Sequence, residues 1–276
     1  MRYFDAHCHI QFSQYDADRE QIVERMHQAE VFALVVGTDL ESSKKAIILA
    51  QEHEHLFASV GLHPNAVLTE SFEYQAYREL ARDPKVLAIG ECGLDNFRPE
   101  DVEVSKPKQR EVFLEHVRLA VGTGKPLMIH SRPSKGTQDA YRDLIDILTS
   151  AKREYGEKLR GNIHFFVGGI EEAREFLALD FTMSYTAVLT FARDYDEVVK
   201  YIPLTHLLTE TDSPYIAPAP RRGQRNDPLA VIDVVEIVAS IRNENTETVK
   251  FQLLENAKRL FRFQSVLVVD TMISNS

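Results

Sequence analysis

A chain of 276 residues, 44% hydrophobic and 27% charged, has the makeup of a folded globular enzyme and excludes a disordered polypeptide. Its formal net charge of −10 excludes holding nucleic acid by general attraction, so any phosphate substrate would need local cations or metals. The two cysteines, Cys8 and Cys92, belong to no C-x-x-C pair and exclude a disulfide scaffold; no apolar stretch approaches the roughly 18–20 residues that span a bilayer. The N-terminus has no apolar leader and no small-residue cleavage site, and its first nine residues carry the most suggestive chemistry, so a cytoplasmic protein is expected; it is read as a monomer.

Along the chain, short β-branched runs alternate with longer helical patterns. The strand-like runs are Tyr3–His7, Phe32–Gly37, Leu56–Gly61, Val86–Glu91, Leu127–His130, Ile163–Phe166, Phe181–Tyr185 and Leu207–Glu210. Between the first two, Ile22, Val23, Met26 and Ala29 fall on one helical face; between the fourth and fifth, Phe113, Val117, Ala120 and Val121 form a similar stripe. After the eighth run comes an irregular stretch rich in Pro and Arg, Ser213 to Pro228, and then helices at Leu229–Ile241 and Thr246–Leu260. Eight strands alternating with helices predict an α/β fold with a parallel sheet, and eight is the number that closes a single (β/α)₈ TIM barrel. An open doubly wound sheet is the competing arrangement. The barrel is expected to occupy residues 1–265, and residues 266–276, with apolar Val266–Val269, are read as a short tail.

Asp5, His7 and His9 alternate, which on an extended strand points all three to one side. Two imidazoles so spaced make a compact chelate for a borderline metal. A lone His-x-His is weak evidence, but the other candidates recur at strand ends. His63 follows the third run, Glu91 ends the fourth, His130 ends the fifth, His164 lies in the sixth and Asp212 follows the eighth. That is the rim where barrel enzymes build active sites. Core packing does not explain it, because buried charge needs a partner. The remaining histidines, His27, His53, His55, His116 and His206, fall in helical stretches or at a strand start and read as surface or packing residues. Cys8 and Cys92 alternate away from the ligand candidates and read as small core residues.

The segments Phe4-Asp-Ala-His-Cys-His, Val60-Gly-Leu-His-Pro, Gly90-Glu-Cys-Gly-Leu-Asp, Ile129-His-Ser-Arg, Thr209-Glu-Thr-Asp-Ser-Pro-Tyr and Asn256-Ala-Lys-Arg-Leu-Phe stand in a telling order. Over about residues 3–262 the chain resembles the TatD-like metal-dependent deoxyribonucleases of the amidohydrolase-type barrels. The resemblance implies one divalent cation held by His7, His9 and Asp212, a second by His130 and His164, and Glu91 as the bridge. It implies a 3′→5′ DNA exonuclease acting through metal-activated water, with Asp212 and Glu91 catalytic, Asp212 serving as base. The cations would be Mg, Mn or Zn, and the partner DNA or another phosphodiester, single-stranded. His63, Arg132 and Arg222 are the expected substrate contacts.

The chain departs from the family pattern at Phe165, where Cys often follows the histidine, at Asn65, where a second His is common, and at Asn96, where an aromatic is common. Most of all, Arg132-Pro-Ser-Lys-Gly-Thr-Gln is basic where the family loop is acidic. Arg132, Lys135, Arg221, Arg222 and Arg225 would either bind phosphates around the mouth or belong to solvated loops that bond to their own carbonyls. The rival activity is a binuclear amidohydrolase cleaving a C–N or ester bond of a small molecule. Those enzymes often use a carboxylated lysine on the fourth strand, whereas this chain offers Glu91. A histidinol-phosphatase-type phosphoesterase also opens with His-x-His, but no late Asp-x-His supplies its third metal. A metal-binding scaffold without activity would lack a ligand, and none is lacking.

Overall fold

The computed structural model describes residues 1–99 and 101–263; the segment read as a tail, residues 266–276, lies outside the described residues. Eight strands run in parallel and pair in chain order: β1 (Tyr3–Cys8), β2 (Val31–Val36), β3 (Leu56–Val60), β4 (Val86–Asp95), β5 (Leu127–Arg132), β6 (Gly161–Ile163), β7 (Thr182–Tyr185) and β8 (Leu207–Thr209). Closure comes from the segment after β8. The Asp212 amide donates to the His7 carbonyl at 2.9 Å and the His9 amide to the Ser213 carbonyl at 2.8 Å. The sheet is a TIM barrel and not an open doubly wound sheet.

Helices α1 (Arg19–Gln28), α2 (Leu40–Glu52), α3 (Tyr74–Leu80), α4 (Val102–Thr123), α5 (Asp139–Tyr155), α6 (Ile170–Ala178) and α7 (Asp196–Tyr201) connect the strands, and α8 (Val231–Arg242) and α9 (Thr246–Phe261) follow. The helical stripes bury as the spacing demands: Ile22, Val23 and Met26 of α1, and Phe113, Val117 and Ala120 of α4, all face the sheet side and are buried. Each of these side chains larger than alanine contributes about 1.5–3 kcal/mol on burial. Two apolar clusters result. The larger lies between strands and helices; the smaller gathers Phe4, Ala6, Leu34, Val36, Ala88, Met128 and Leu208 inside the barrel, with Leu260, Phe261 and Phe263 closing its base. No helix among the described residues is long and apolar enough to cross a membrane.

The strand bounds shift by a residue or two from the sequence pattern at several places, β5 for instance reaching Arg132, and two differences, in β4 and β6, reshape the rim. β4 runs on to Asp95 instead of stopping at Glu91, with a register shift against β5 between Ile89 and Cys92. Glycine makes this possible. Gly90 has φ +127° and Gly93 φ +142°, and a Cβ would come within 2.2 Å of the Met128 carbonyl oxygen or 2.0 Å of the His130 one. β6 ends at Ile163, so His164 follows the strand, and Phe165 turns the chain with φ +47°. The pair Phe165-Phe166 reads as strand because it is apolar, but apolarity here marks burial. Phe166 packs on Tyr141 and Phe176.

Candidate metal centre

The rim residues converge on one carboxylate. Glu91, 4% exposed, directs Oε2 toward His7 Nε2 at 3.4 Å and His9 Nε2 at 3.6 Å. It directs Oε1 toward His130 Nδ1 at 3.0 Å, His164 Nε2 at 3.2 Å and His63 Nε2 at 3.3 Å. Asp212 Oδ1 lies 3.6 Å from His9 Nε2 and 3.9 Å from His7 Nε2. Asp212 has φ +50°, a left-handed turn that Asp tolerates better than most residues, and the turn sets its carboxylate over the pair. The strands thus bring His7, His9, Glu91, His130, His164 and Asp212 together, divided between the two oxygens of Glu91.

His63 joins them in a different capacity. Its Nδ1 accepts from the Asn65 amide at 3.1 Å, so in the neutral ring the proton sits on Nε2. His63 therefore offers the site a hydrogen-bond donor and no lone pair. His9 has the opposite tautomer: Nδ1 donates to the Val36 carbonyl at 2.8 Å, which leaves Nε2 with a lone pair aimed at His7 Nε2, 3.1 Å away.

This donor set fits divalent cations. Two carboxylates and several imidazole nitrogens point inward from buried positions, and His7 Nδ1 is buried with no hydrogen-bond partner. Clustered negative charge out of water needs a counter-charge. Burial raises the Glu91 carboxyl, but His63 and His7 outweigh it and hold the group well below the ordinary carboxylate range. Burial likewise raises Asp212, and His9, His164 and His7 together outweigh it, so its pKa is lowered. For His164 burial favours the neutral ring, yet Glu210 and Glu91 together push its pKa well up. His130 is raised the same way, by Asp95 and Glu91 against burial. Metal binding needs the ligand imidazoles neutral, so cations would compete with protons at His130 and His164.

Three acids do work that the sequence did not reveal. Glu210 is fully buried, accepts from the Phe165 amide and the Ser184 hydroxyl at 2.6 Å each, and faces His164 Nδ1 at 3.3 Å. Asp95 faces His130 Nε2 at 3.2 Å. Both stand inside quoted motifs, which is the only signal that could have found them. Asp5 does not reach the cluster with His7 and His9. The register of β1 shifts between Asp5 and Cys8, breaking the alternation, and Asp5 instead accepts from the His7 amide (3.1 Å), the Thr211 amide (2.9 Å) and the Thr211 hydroxyl (2.5 Å). It pins β1 to the segment that carries Asp212.

Above the cluster opens a cavity of about 720 Å³, lined among others by His63, Arg98, Arg132, Phe165 and Tyr215. Of the expected substrate contacts, His63 and Arg132 line it. Arg222 does not: it is exposed and stacks on Phe191, 4.3 Å from the ring centre. Arg221 pairs with Asp233 at 3.1 Å and Arg225 with Asp18, so these arginines of the Pro-rich loop hold carboxylates, not their own carbonyls. Lys135 is exposed and outside the cavity lining. Cys8 and Cys92 are buried and free, packed in the outer cluster.

With this geometry in hand, comparison with known proteins gives consistent results. The family model described as TatD related DNase matches residues 4–262. A relative from Bacillus subtilis (strain 168), the uncharacterized metal-dependent hydrolase YabD, is 38% identical over 94% of this chain and 98% of its own length. The uncharacterized metal-dependent hydrolase TatD of Mycobacterium tuberculosis (strain H37Rv) is 35% identical over 93% of this chain and 97% of its own. Among solved structures, the TatD homologue YjjV of Escherichia coli K12 superposes with a TM-score of 0.85 at 28% identity, covering 95% of this chain and 99% of that one.

Proposed function

The chain belongs to the TatD-related DNase family and is a metal-dependent hydrolase; from that premise we propose that it cleaves phosphodiester bonds of single-stranded DNA, from a 3′ end. The observation that carries the reading is the division of imidazoles between the two oxygens of Glu91. In the proposed arrangement His7, His9 and Asp212 would hold one divalent cation and His130 and His164 a second, with Glu91 offering one oxygen to each side. Mg, Mn or Zn held there would supply Lewis acidity toward a phosphoryl oxygen and toward water.

The chain's own residues do the rest. Asp212 is ionised and lies at the open side of the cluster, so its carboxylate accepts the proton of the attacking water and returns it to the leaving oxygen. His63 donates its Nε2 proton to a substrate oxygen, and Arg132 meets the substrate's negative charge. The apolar walls of the mouth, Phe165, Val167 and Ile216, keep bulk water from the cluster. Two buried free cysteines fit a reducing compartment, so we place the reaction in the cytoplasm.

The test uses manganese-loaded protein on linear and circular single-stranded DNA, with Asp212→Asn alongside. Linear DNA should be shortened stepwise and circles spared. Asn tolerates a left-handed turn and keeps one oxygen donor, so the variant should retain its metal and lose roughly 10²–10⁴ in turnover. Equal cleavage of circles and linear strands would rule out an exonuclease. Near-complete recovery of Asp212→Asn at saturating metal would remove Asp212 as the base.

A further inference from the structure

The mouth is electrostatically lopsided. Arg98 and Arg132 are the Lys or Arg side chains among the described residues that line it, and both stand at the exits of β4 and β5. The adjoining wall, at the exits of β2 and β3, carries Thr38, Asp39, Ala66 and Thr69. Asp39 is fixed there as the cap of α2, its Oδ1 accepting from the Ser42 amide at 2.6 Å. A second phosphate is repelled on that wall and attracted on the other.

The cationic wall is built, not incidental. Buried Asp95 accepts from the Phe97 and Arg98 amides at 2.9 Å each, which shapes the turn after β4 and lifts both side chains onto the rim. Arg132 lies two residues beyond His130 on β5 and so projects to the same side. Its guanidinium lies over the Phe97 ring, 4.3 Å from the centre. A stacked guanidinium keeps its N–H groups in plane and free to point outward. Phe97 is 50% exposed and serves no core, which this bracing role accounts for. Arg98 is 56% exposed and lies 4.0 Å from Asp95, too far to consume its donors.

We infer that Arg98 and Arg132, braced by Phe97, bind the phosphate one linkage away from the scissile one, so that the enzyme selects a strand over an isolated diester. The inference rests on the phosphodiesterase reading above. It explains how a chain of net charge −10 draws a polyanion to one place.

The test is a chemical double-mutant cycle on trinucleotides of single-stranded DNA. The first linkage is an ordinary phosphodiester or a neutral methylphosphonate, and cleavage at the second linkage is measured with wild-type protein and with Arg98→Gln/Arg132→Gln, manganese content and melting temperature being matched. Wild-type kcat/KM should fall roughly 10- to 100-fold, mostly through KM, when the first linkage loses its charge; the double variant should be indifferent to that charge. Indifference of the wild type, or the same charged-to-neutral ratio in the variant, overturns the subsite. If wild-type protein cleaves neither trinucleotide nor bis(p-nitrophenyl) phosphate, the phosphodiesterase reading fails instead. Fluorescence anisotropy then decides the subsite alone: affinity for the charged trinucleotide over the neutral one must exceed that of the variant by the same factor, or the subsite fails too.

Discussion

Two groups of imidazoles sit at opposite ends of the barrel, and they differ in what faces them. At the mouth, His7, His9, His63, His130 and His164 surround Glu91, with Asp212 on the open side and Asp95 and Glu210 behind. At the base, the His27 and His53 rings lie 5.3 and 5.9 Å from that of His55, ring centre to ring centre. There the acid in reach is Glu20, 3.6 Å from His53 and 74% exposed. Burial, then His27 and His53, depress the His55 pKa to about 4, so the ring stays neutral. At the mouth, carboxylates reverse that trend for His9, His130 and His164. Clustered histidines alone are packing; a buried carboxylate among them makes a place for cations.

The contrast breaks most sharply at Glu91. Glu91→Gln keeps the volume and removes the charge that both sets of imidazoles share. Metal content after loading and dialysis should fall well below that of the wild type, and activity by about 10³-fold, the several kcal/mol that cation catalysis supplies. A variant that still bound its full metal complement would show the imidazoles sufficient by themselves, and the two ends of the barrel would then differ only in access.

Glu210 sharpens the comparison one layer out. It faces His164 Nδ1 from a pocket where the Phe165 amide and Ser184 hydroxyl fix it, leaving Nε2 directed at Glu91. Glu210→Gln should lower metal affinity roughly 10- to 100-fold, as loss of an outer carboxylate does, while melting of the metal-free protein changes little. Equal affinities in a competition titration against a chelator would leave Glu210 a purely structural acid.

The mouth was the more legible end, for a physical reason. His7, His9, Glu91, His130, His164 and Asp212 each follow an apolar run, where a polar side chain has no core to join, so sequence position alone put them on the rim. Glu210 and Asp95 occur in the same motifs, yet nothing in a linear pattern separates an acid that backs a histidine from one in solvent. The tautomer of His63 depends on the Asn65 amide, and the displacement of Asp5 on a register shift within β1; both are three-dimensional facts. Arg98 is not legible in the sequence because the turn that lifts it is set by Asp95, and Arg222 reads as a substrate contact because its stacking on Phe191 leaves no trace in the linear pattern.

The smallest expected effect lies at the base, and it tests whether that cluster is inert. His55 is 3% exposed and neutral in the folded protein down to about pH 4, whereas the unfolded ring takes a proton below about 6.5. Between those values the unfolded state binds more protons, so this group's contribution to stability falls as pH falls. At pH 5 the loss amounts to about 2 kcal/mol relative to pH 8. His55→Leu cannot titrate and should be free of that share of the pH dependence. Urea denaturation of metal-free protein reads it directly: the stability gap between pH 8 and pH 5 should narrow by about that amount in the variant. Metal binding and activity at pH 8 should match the wild type, because His55 precedes β3 at the end away from the mouth. If the gap were unchanged, His55 would have to meet its proton in both states alike. If metal binding fell, the base cluster would be coupled to the mouth, and the contrast between the two ends would fail at its quieter side.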